Sequence, residues 1–155
     1  DHVNCQGVIH HTVNPNNAIR EIARVLKNNG TACVSVYYKN LICKIWPYFA
    51  FLGEQLLKHG CGLRGGGRNK VLLNKDIDEI VRMYDGEKNP IGKAYSKKEI
   101  IEAVSPYFVV EKVFLNYFPG RALPFKIPKI LHKILSRHMG FLIHLNLRKT
   151  QRNKK

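Results

Sequence analysis

Two adjacent histidines follow a strand-like run near the start of the chain. Residues 3–9 are mostly apolar, and His10 and His11 come directly after them. Because imidazole titrates near neutrality, either side chain could act as a general base toward a hydroxyl or an amine. The alternative is a polar turn in which one ring packs and forms hydrogen bonds. We therefore treat both histidines as candidate catalytic residues.

A glycine-rich segment spells the pattern G-x-G-x-x-G between Gly60 and Gly65. That pattern binds a phosphate-bearing cofactor when it follows a strand and opens a helix, because the backbone amides then converge on the ligand. Here it follows an apolar, helix-like stretch at residues 41–58 and precedes further polar residues. We interpret it as a flexible loop, with a phosphate-binding nest formed with the neighbouring basic residues as the alternative.

The cysteines and the remaining histidines show no metal-ligand spacing. No pair of cysteines is arranged as Cys-x-x-Cys, and two of the four lie within apolar runs. We interpret them as free thiols in a reducing cytoplasm. A zinc site built from His10, His11, His59 and Cys61 lacks the usual ligand spacing, so we predict no metal site.

The first forty residues have the pattern strand, helix, strand. Apolar residues recur at helical spacing from Asn17 to Leu26, and Pro15 or Asn16 can start the helix. Asn29 and Gly30 can end it. Residues 31–38 are rich in β-branched and aromatic types and predict a buried strand. Since the helix is long enough to act as a crossover, we predict that the two strands are parallel neighbours.

Further elements follow in the rest of the chain. Ser96 and Glu99 form a capping box at the start of one of the helices. The predicted elements are helical stretches at 41–58, 74–84 (with Asn74 as N-cap), 96–104 and 128–138, strands at 107–117 and 141–147, and a polar, frayed tail from Arg148 to Lys155.

One pattern runs Asp-x-Val-x-x-x-Gly-Val-Ile-His-His from Asp1 to His11, and continues as Arg-Val-Leu-Lys-x-x-Gly from Arg24 to Gly30. With these motifs, roughly the first forty residues resemble the class I S-adenosylmethionine-dependent methyltransferases, and are most similar to the type 11 family. A weaker likeness, to a downstream segment in one branch of these enzymes, is Asp-Gly-x-x-Asn-Pro from residue 85, with Tyr-Ser-x-x-Glu from residue 95.

The resemblance implies an α/β fold. It is a partial Rossmann-like methyltransferase sheet made of the family's strands four to seven, with the last pair antiparallel, flanking helices and a helical insertion. Residues 1–148 would be the C-terminal part of a methyltransferase domain, with insertion or lid segments at about 41–94 and 119–139. Residues 149–155 would be a basic tail.

The resemblance also implies a cofactor, S-adenosylmethionine. The family holds it with a glycine-rich loop after strand one and an acidic residue that ends strand two. Both would precede Asp1, so we expect the main binding loop to lie outside this chain and the isolated chain to be inactive. The cofactor's amino-acid end would face Cys5, Gln6 and Gly7.

Four further residues are candidates for binding the methyl acceptor. Tyr37 and Tyr38 end a strand and could close over the methyl donor, or they could pack in the core. Asn89 and Tyr95 belong to the weaker likeness and could line the acceptor pocket, or form part of a loop. Ser96, beside them, is better explained as a helix N-cap.

The charge of the chain is strongly positive. Lysine and arginine number 26 against 11 acidic residues, a net charge of +15, and every charged residue from Lys112 onward is basic. Such a balance attracts nucleic acid, anionic lipid or a phosphorylated substrate. The helix at 128–138 could be a lid over the substrate or could lie on an anionic membrane surface.

The sequence therefore predicts a cytoplasmic methyltransferase, with peripheral membrane association as an open possibility. It would transfer a methyl group to a small-molecule or carrier-linked acceptor, of which anionic, lipid-linked and glycan-linked types remain open. The alternative is a non-catalytic basic binding module, derived from a methyltransferase fold, that binds nucleic acid or an anionic membrane.

Overall fold

The computed structural model describes residues 1–64, 68–74, 76–86, 88–123 and 125–150. Within these ranges five strands form one mixed sheet. They are β1 (His2–Gln6), β2 (Thr31–Tyr38), β3 (Ala94–Tyr95), β4 (Phe108–Asn116) and β5 (Leu142–Lys149). The helices of the same ranges are α1 (Pro15–Val25), α2 (Leu41–Phe49), α3 (Phe51–Lys58), α4 (Ile77–Asp85), α5 (Lys97–Val104) and α6 (Lys129–Met139).

The sheet confirms the predicted α/β architecture. Strands β1 and β2 pair in parallel, with α1 as the crossover between them. Strand β5 is antiparallel to both of its neighbours, and it lies between β2 and β4. The last pair of strands is therefore antiparallel, as predicted, but β5 is an interior strand of the sheet.

Local sequence signals account for the ends of the helices that flank the sheet. The side chain of Asn14 accepts a hydrogen bond from the Asn17 amide at 3.1 Å, and Pro15 occupies the first turn of α1. Helix α5 begins with the predicted capping box, in which Ser96 and Glu99 each accept a hydrogen bond from the other's backbone amide. The hydrogen bonds with Ser96, first of all that from its backbone amide, lower the pKa of Glu99 to about 2.

Two helix predictions are corrected. The stretch at 41–58 is two helices, α2 and α3, that meet at Ala50. Helix α4 begins at Ile77, and its N-cap is Asp76, whose carboxylate accepts from two backbone amides. Asn74, the predicted cap, instead accepts from the Asp76 amide.

Two strand boundaries also differ from the prediction. Strand β1 ends at Gln6, and Ile9–His11 form a short 3-10 turn in which Ile9 is fully buried. Strand β5 continues to Lys149, so Arg148 belongs to the sheet and not to the tail. Its guanidinium binds the Glu111 carboxylate at 2.6 Å. Residues 151–155 of the predicted tail lie outside the described ranges.

Two apolar clusters pack on opposite faces of the sheet, because neighbouring side chains along a strand alternate between faces. Val36 and Ile143 belong to the cluster that includes α1 and α5. Tyr37 and Leu142 belong to the cluster that includes α4 and the 3-10 segments. The second cluster therefore brings the 41–94 segment onto the sheet where β2 ends.

None of the described helices combines the length and the apolar character that a bilayer crossing requires.

Candidate functional site

One face of α4 holds the segment that follows it. Asp78, Arg82 and Asp85 are four and three residues apart, so their side chains share a face of the helix. The Asp78 carboxylate accepts from the Ala94 amide at 2.8 Å, and the Arg82 guanidinium donates to the Asn89 carbonyl at 2.7 Å. The loop from residue 89 to β3 is therefore attached to α4 at several points.

Gly92 makes the closest approach between this loop and α4. A Cβ atom built on Gly92 would lie 2.6 Å from the Cα atom of Arg82. Since that neighbour is backbone and cannot move aside cheaply, only glycine fits here. The contact fixes the distance between α4 and the loop.

Asp85 connects the loop after β1 to the end of β2. Its Oδ2 atom lies 2.6 Å from His11 Nε2, and its Oδ1 atom accepts a hydrogen bond from the Tyr37 hydroxyl. Asn89 Nδ2 lies 3.4 Å from His11 Nδ1. We refer to His10, His11, Tyr37, Asp85 and Asn89 as the polar cluster.

The hydrogen-bond partners of His11 indicate which of its ring nitrogens carry protons. Nδ1 lies 2.7 Å from the carbonyl oxygen of Ile91, which can only accept. Nε2 faces the Asp85 carboxylate, which also accepts when it is ionised. Both contacts are satisfied together when both ring nitrogens of His11 carry protons. His11 and Asp85 then form an ion pair that is about a quarter exposed, with side-chain exposures of 23% and 31%.

His10 has the opposite character. It is 1% exposed, and its Nδ1 atom has no hydrogen-bond partner among the described residues. Its ring packs against the rings of His11 and Tyr37, with centroid distances of 4.1 and 4.6 Å. Burial, reinforced by the neighbouring His11, lowers the pKa of His10 to about 4, although Asp85 opposes this shift. His10 is therefore neutral at pH 7.

Tyr37 contacts the Asp85 carboxylate, and two further tyrosines lie near Tyr37. Burial, and then the hydrogen bond to Asp85, raises the pKa of Tyr37, so its hydroxyl keeps its proton and donates. The hydroxyls of Tyr84 and Tyr117 lie 2.9 Å apart and add to the same shift. The polar cluster thus has a hydroxyl-rich wall on the side of β2.

His10, His11 and Asp85 could offer three ligand atoms that all lie within 4.8 Å of one another. A zinc ion bound at about 2.0–2.1 Å would hold its tetrahedral ligand atoms about 3.3 Å apart. His11 Nε2 and Asp85 Oδ2 lie 2.6 Å apart, a separation that fits a shared proton. The geometry favours a hydrogen-bonded cluster, and the absence of a metal site stays a prediction.

The residues expected to face the cofactor lie where β1 ends. Gly7 has a φ of 71°, and the space beside it where a side chain would project is open. Its amide donates to Ser35, the register partner of Gln6 on β2. Cys5 is half-buried, and burial raises the pKa of its thiol. The open backbone at Gly7 is compatible with a ligand at this end of the strand.

Tyr38 and Tyr95 lie apart from the polar cluster. They are register partners in the parallel pairing of β2 with β3. Both pack in the apolar cluster on the other face of the sheet, where burial raises the pKa of Tyr95 to about 12. Of the predicted acceptor-binding residues, the structure brings Tyr37 and Asn89 to the histidines and leaves these two in the core. Ser96 is the N-cap of α5.

Residues 60–64 follow a helix and do not open one, which agrees with the interpretation as a loop. Gly65 lies outside the described residues. The Arg64 amide donates to the Ala122 carbonyl at 2.7 Å, which ties this loop to the 3-10 turn Gly120–Ala122.

Asp85 is the residue of the cluster that the sequence did not predict as a site residue. Two signals could have found it. Asp85 is the first residue of the Asp-Gly-x-x-Asn-Pro motif that includes Asn89. It also has the spacing that places it on the same helix face as the charged residues Asp78 and Arg82. The backbone acceptor at Ile91 carried no sequence signal.

Residues 1–34 match the family model described as a methyltransferase domain. The match covers β1, α1 and the start of β2, and it includes both histidines of the polar cluster. It confirms the resemblance that the sequence predicts for this segment. No curated protein matches the chain.

Two solved structures are similar to the chain. One comes from a complex described as containing the Haloferax volcanii Trm112 methyltransferase activator and a methyltransferase, with a TM-score of 0.51, 15% identity, and coverage of 100% of this chain. The other is a Thermotoga maritima protein described as a possible histamine N-methyltransferase, with a TM-score of 0.49, 15% identity, and 97% coverage. The chain spans 56% of the length of each structure.

Proposed function

We propose, for a chain whose first 34 residues match a methyltransferase domain, that it supplies the acceptor side of a methyl-transfer site. The methyl donor is S-adenosylmethionine, and the acceptor is a hydroxyl or an amine. The observation that carries the proposal is the link His11–Asp85–Tyr37. It connects the methyltransferase segment to the 41–94 segment at the end of the parallel strands β1 and β2.

The position of the cluster supports this proposal. In open α/β sheets, ligands bind in the crevice outside the carboxyl ends of the strands. His11 follows β1, Tyr37 lies near the end of β2, and Gly7, directly after β1, has open space where a side chain would project. The candidate donor-side residues Cys5, Gln6 and Gly7 and the polar cluster therefore lie at the same end of the sheet.

The polar cluster has two roles in this proposal. S-adenosylmethionine, when bound, supplies an electrophilic methyl group, so catalysis depends mainly on holding the acceptor in line. Asp85 and His11 are partly exposed. We assign the orientation of the acceptor to the Asp85 carboxylate, whose oxygens can each accept a further hydrogen bond, while His11 holds that carboxylate in place. His10 is buried, so we assign it a positioning role beneath His11. Tyr37 fixes the Asp85 carboxylate.

We expect the donor site to be incomplete in these 155 residues. Calorimetric titration of the chain with S-adenosylmethionine should show no stoichiometric binding. The gene product that contains the chain, with any sequence encoded before Asp1, should bind the donor and transfer radiolabelled methyl groups. Tight binding by the chain alone would contradict the half-site proposal. A full gene product that neither binds the donor nor transfers methyl groups would contradict the methyltransferase proposal.

A second candidate function, docking on an anionic membrane, is favoured by the surface of α2, α3 and α6. Tyr48 and Phe51 are 80% and 63% exposed on the first two helices, and Ile130 is 78% exposed on α6. Helix α6 has no acidic residue and carries Lys129, Lys133 and Arg137. Exposed apolar side chains beside basic ones are typical of surfaces that bind an anionic bilayer.

Helices α2 and α6 meet at one end of the sheet. The Asn40 side chain, which caps α2, donates to the carbonyl of Met139 at the end of α6 at 3.0 Å. Helix α6 also contacts the segment that follows β4, where Ser136 and His132 form hydrogen bonds with the backbone of Phe118. This contact is compatible with the alternative interpretation of α6 as a lid.

We expect the chain to cosediment with vesicles of phosphatidylcholine and phosphatidylserine, and less so at high salt. The double substitution Tyr48→Ser and Phe51→Ser should weaken this binding. Val13→Ser, at a residue that is 88% exposed outside these helices, should leave it unchanged. Equal binding by both variants would contradict membrane docking through these helices. Retention on heparin without vesicle binding would favour nucleic acid as the polyanion.

A further inference from the structure

An apolar cavity of about 190 Å³, partly open to its surroundings, lies beside the polar cluster. Its walls come from α2, α4, the 3-10 segments Arg68–Leu73 and Gly120–Ala122, and the residues that flank α6. Val71, Ile80, Phe118 and Ala122 line it, and each is at least nine-tenths buried. A space of this size bordered by such deeply buried side chains is unusual, since folded chains are close-packed.

The walls of the cavity offer water few hydrogen-bond partners. A buried water needs two to four polar partners. The cavity-lining thiol of Cys43 is neutral, since burial raises its pKa to about 11, and the Tyr84 hydroxyl is bonded to Tyr117. The Trp46 indole N–H is buried without a partner among the described residues. The walls therefore suit an apolar group that carries at most one hydrogen-bond acceptor.

The size of the cavity limits the occupant to about one ring. An apolar cavity of about 150 Å³ is known to stay dry and to bind benzene. The cavity here is somewhat larger, so it fits a six-membered aromatic ring with one or two further heavy atoms.

The cavity and the polar cluster share a wall. Tyr84 lines the cavity, and the next residue is Asp85. Tyr37, which donates to Asp85, packs in the same apolar cluster as Ala122 and Val71 of the cavity wall. Tyr84 and Tyr37 therefore connect the cavity to the polar cluster.

We propose that the cavity binds an aromatic ring of the methyl acceptor, so that the acceptor is a small aromatic compound with a hydroxyl or amino substituent. The assignment of the ring to an acceptor rests on the proposed methyltransferase function. The binding of the ring itself does not, and it can be measured without the methyl donor.

Trp46 provides the readout, because it is the only tryptophan of the chain and gives a single indole N–H signal in the NMR spectrum. Benzene and phenol, added without S-adenosylmethionine, should shift this signal in a saturable way. Ala122→Leu, which fills the cavity, should weaken binding by at least about tenfold. Ala103→Leu, on α5 and outside the cavity, should bind both probes like the unsubstituted chain.

A second variant keeps the test valid if Ala122→Leu does not fold. Val71→Ala enlarges the cavity and should shift the preference from benzene toward naphthalene. Saturable binding that responds to these changes supports the inference. Failure of benzene and phenol to bind, or binding that neither variant alters, overturns it. Ring binding by a gene product that transfers no methyl group would overturn the proposed function and leave the cavity as a ring-binding site.

Discussion

Replacing Asp85 by alanine is expected to lower the free energy of unfolding by about 3 kcal/mol at pH 7. The substitution leaves the buried Tyr37 hydroxyl and one nitrogen of His11 without their acceptor. It also releases α4 from the loop after β1. Urea unfolding followed by circular dichroism measures the change.

Asp85→Asn is the matched control. The amide oxygen can still accept from Tyr37, and the amide nitrogen can donate to His11 Nε2 once that nitrogen has lost its proton. His11 Nδ1 continues to donate to the Ile91 carbonyl. We therefore expect Asp85→Asn to cost no more than about 1 kcal/mol. If Asp85→Ala and Asp85→Asn lower the free energy of unfolding by the same amount, the hydrogen bonds assigned to His11 are wrong.

The same pair of variants separates stability from function. Asp85→Asn keeps the hydrogen bonds but removes the charge that would orient a hydroxyl or an amine. In the methyl-transfer assay of the full gene product we expect kcat/KM to fall by at least about tenfold. An unchanged kcat/KM would show that the Asp85 charge does not orient the acceptor and that Asp85 has only a structural role.

The second large effect is a loss of stability in mild acid that originates at His10. The pKa of His10 is about 4 in the folded chain, against about 6.5 for an unperturbed histidine in the unfolded chain. Above pH 6.5 the residue is neutral in both states and contributes no pH dependence. Between pH 6.5 and 4 the unfolded state binds a proton that the folded state does not, so stability falls by about 3 kcal/mol. Below pH 4 both states bind the proton.

His10→Leu isolates this contribution, because leucine fills a similar volume and does not titrate. Burial also lowers the pKa of His144, so the unsubstituted chain alone cannot assign the acid loss to one residue. The difference in unfolding free energy between the two proteins should change by about 3 kcal/mol from pH 7 to pH 4. A difference that is constant over this range would show that His10 titrates normally in the folded chain.

The sequence predicted the elements whose signals are local. The Ser96 and Glu99 capping box, the boundaries of β2 and the crossover between β1 and β2 are all found in the structure. Each depends on residue types within a few positions of one another, and short-range hydrogen bonding and periodic burial decide them.

The features that were missed depend on contacts between distant segments. Strand β3 has only two residues, too few to show a period, and it exists because β2 offers its edge at Tyr37 and Tyr38. Asp85 becomes a site residue only when α4 packs beside the loop after β1, more than seventy positions earlier in the chain. Tyr38 and Tyr95 point to the other face because of the strand register, which the sequence predicted for neither.

The position of β5 between β2 and β4 also determines the order in which the sheet can assemble. Strand β4 reaches the sheet only through β5, and β5 pairs with β2 across a separation of more than a hundred residues. Pairings of such long range make folding slow, because a large loop must close before any contact forms. During synthesis, one edge of β2 therefore stays unpaired until β5 has left the ribosome. A chain that stops before Leu142 would leave β4 unattached and that edge open to other chains.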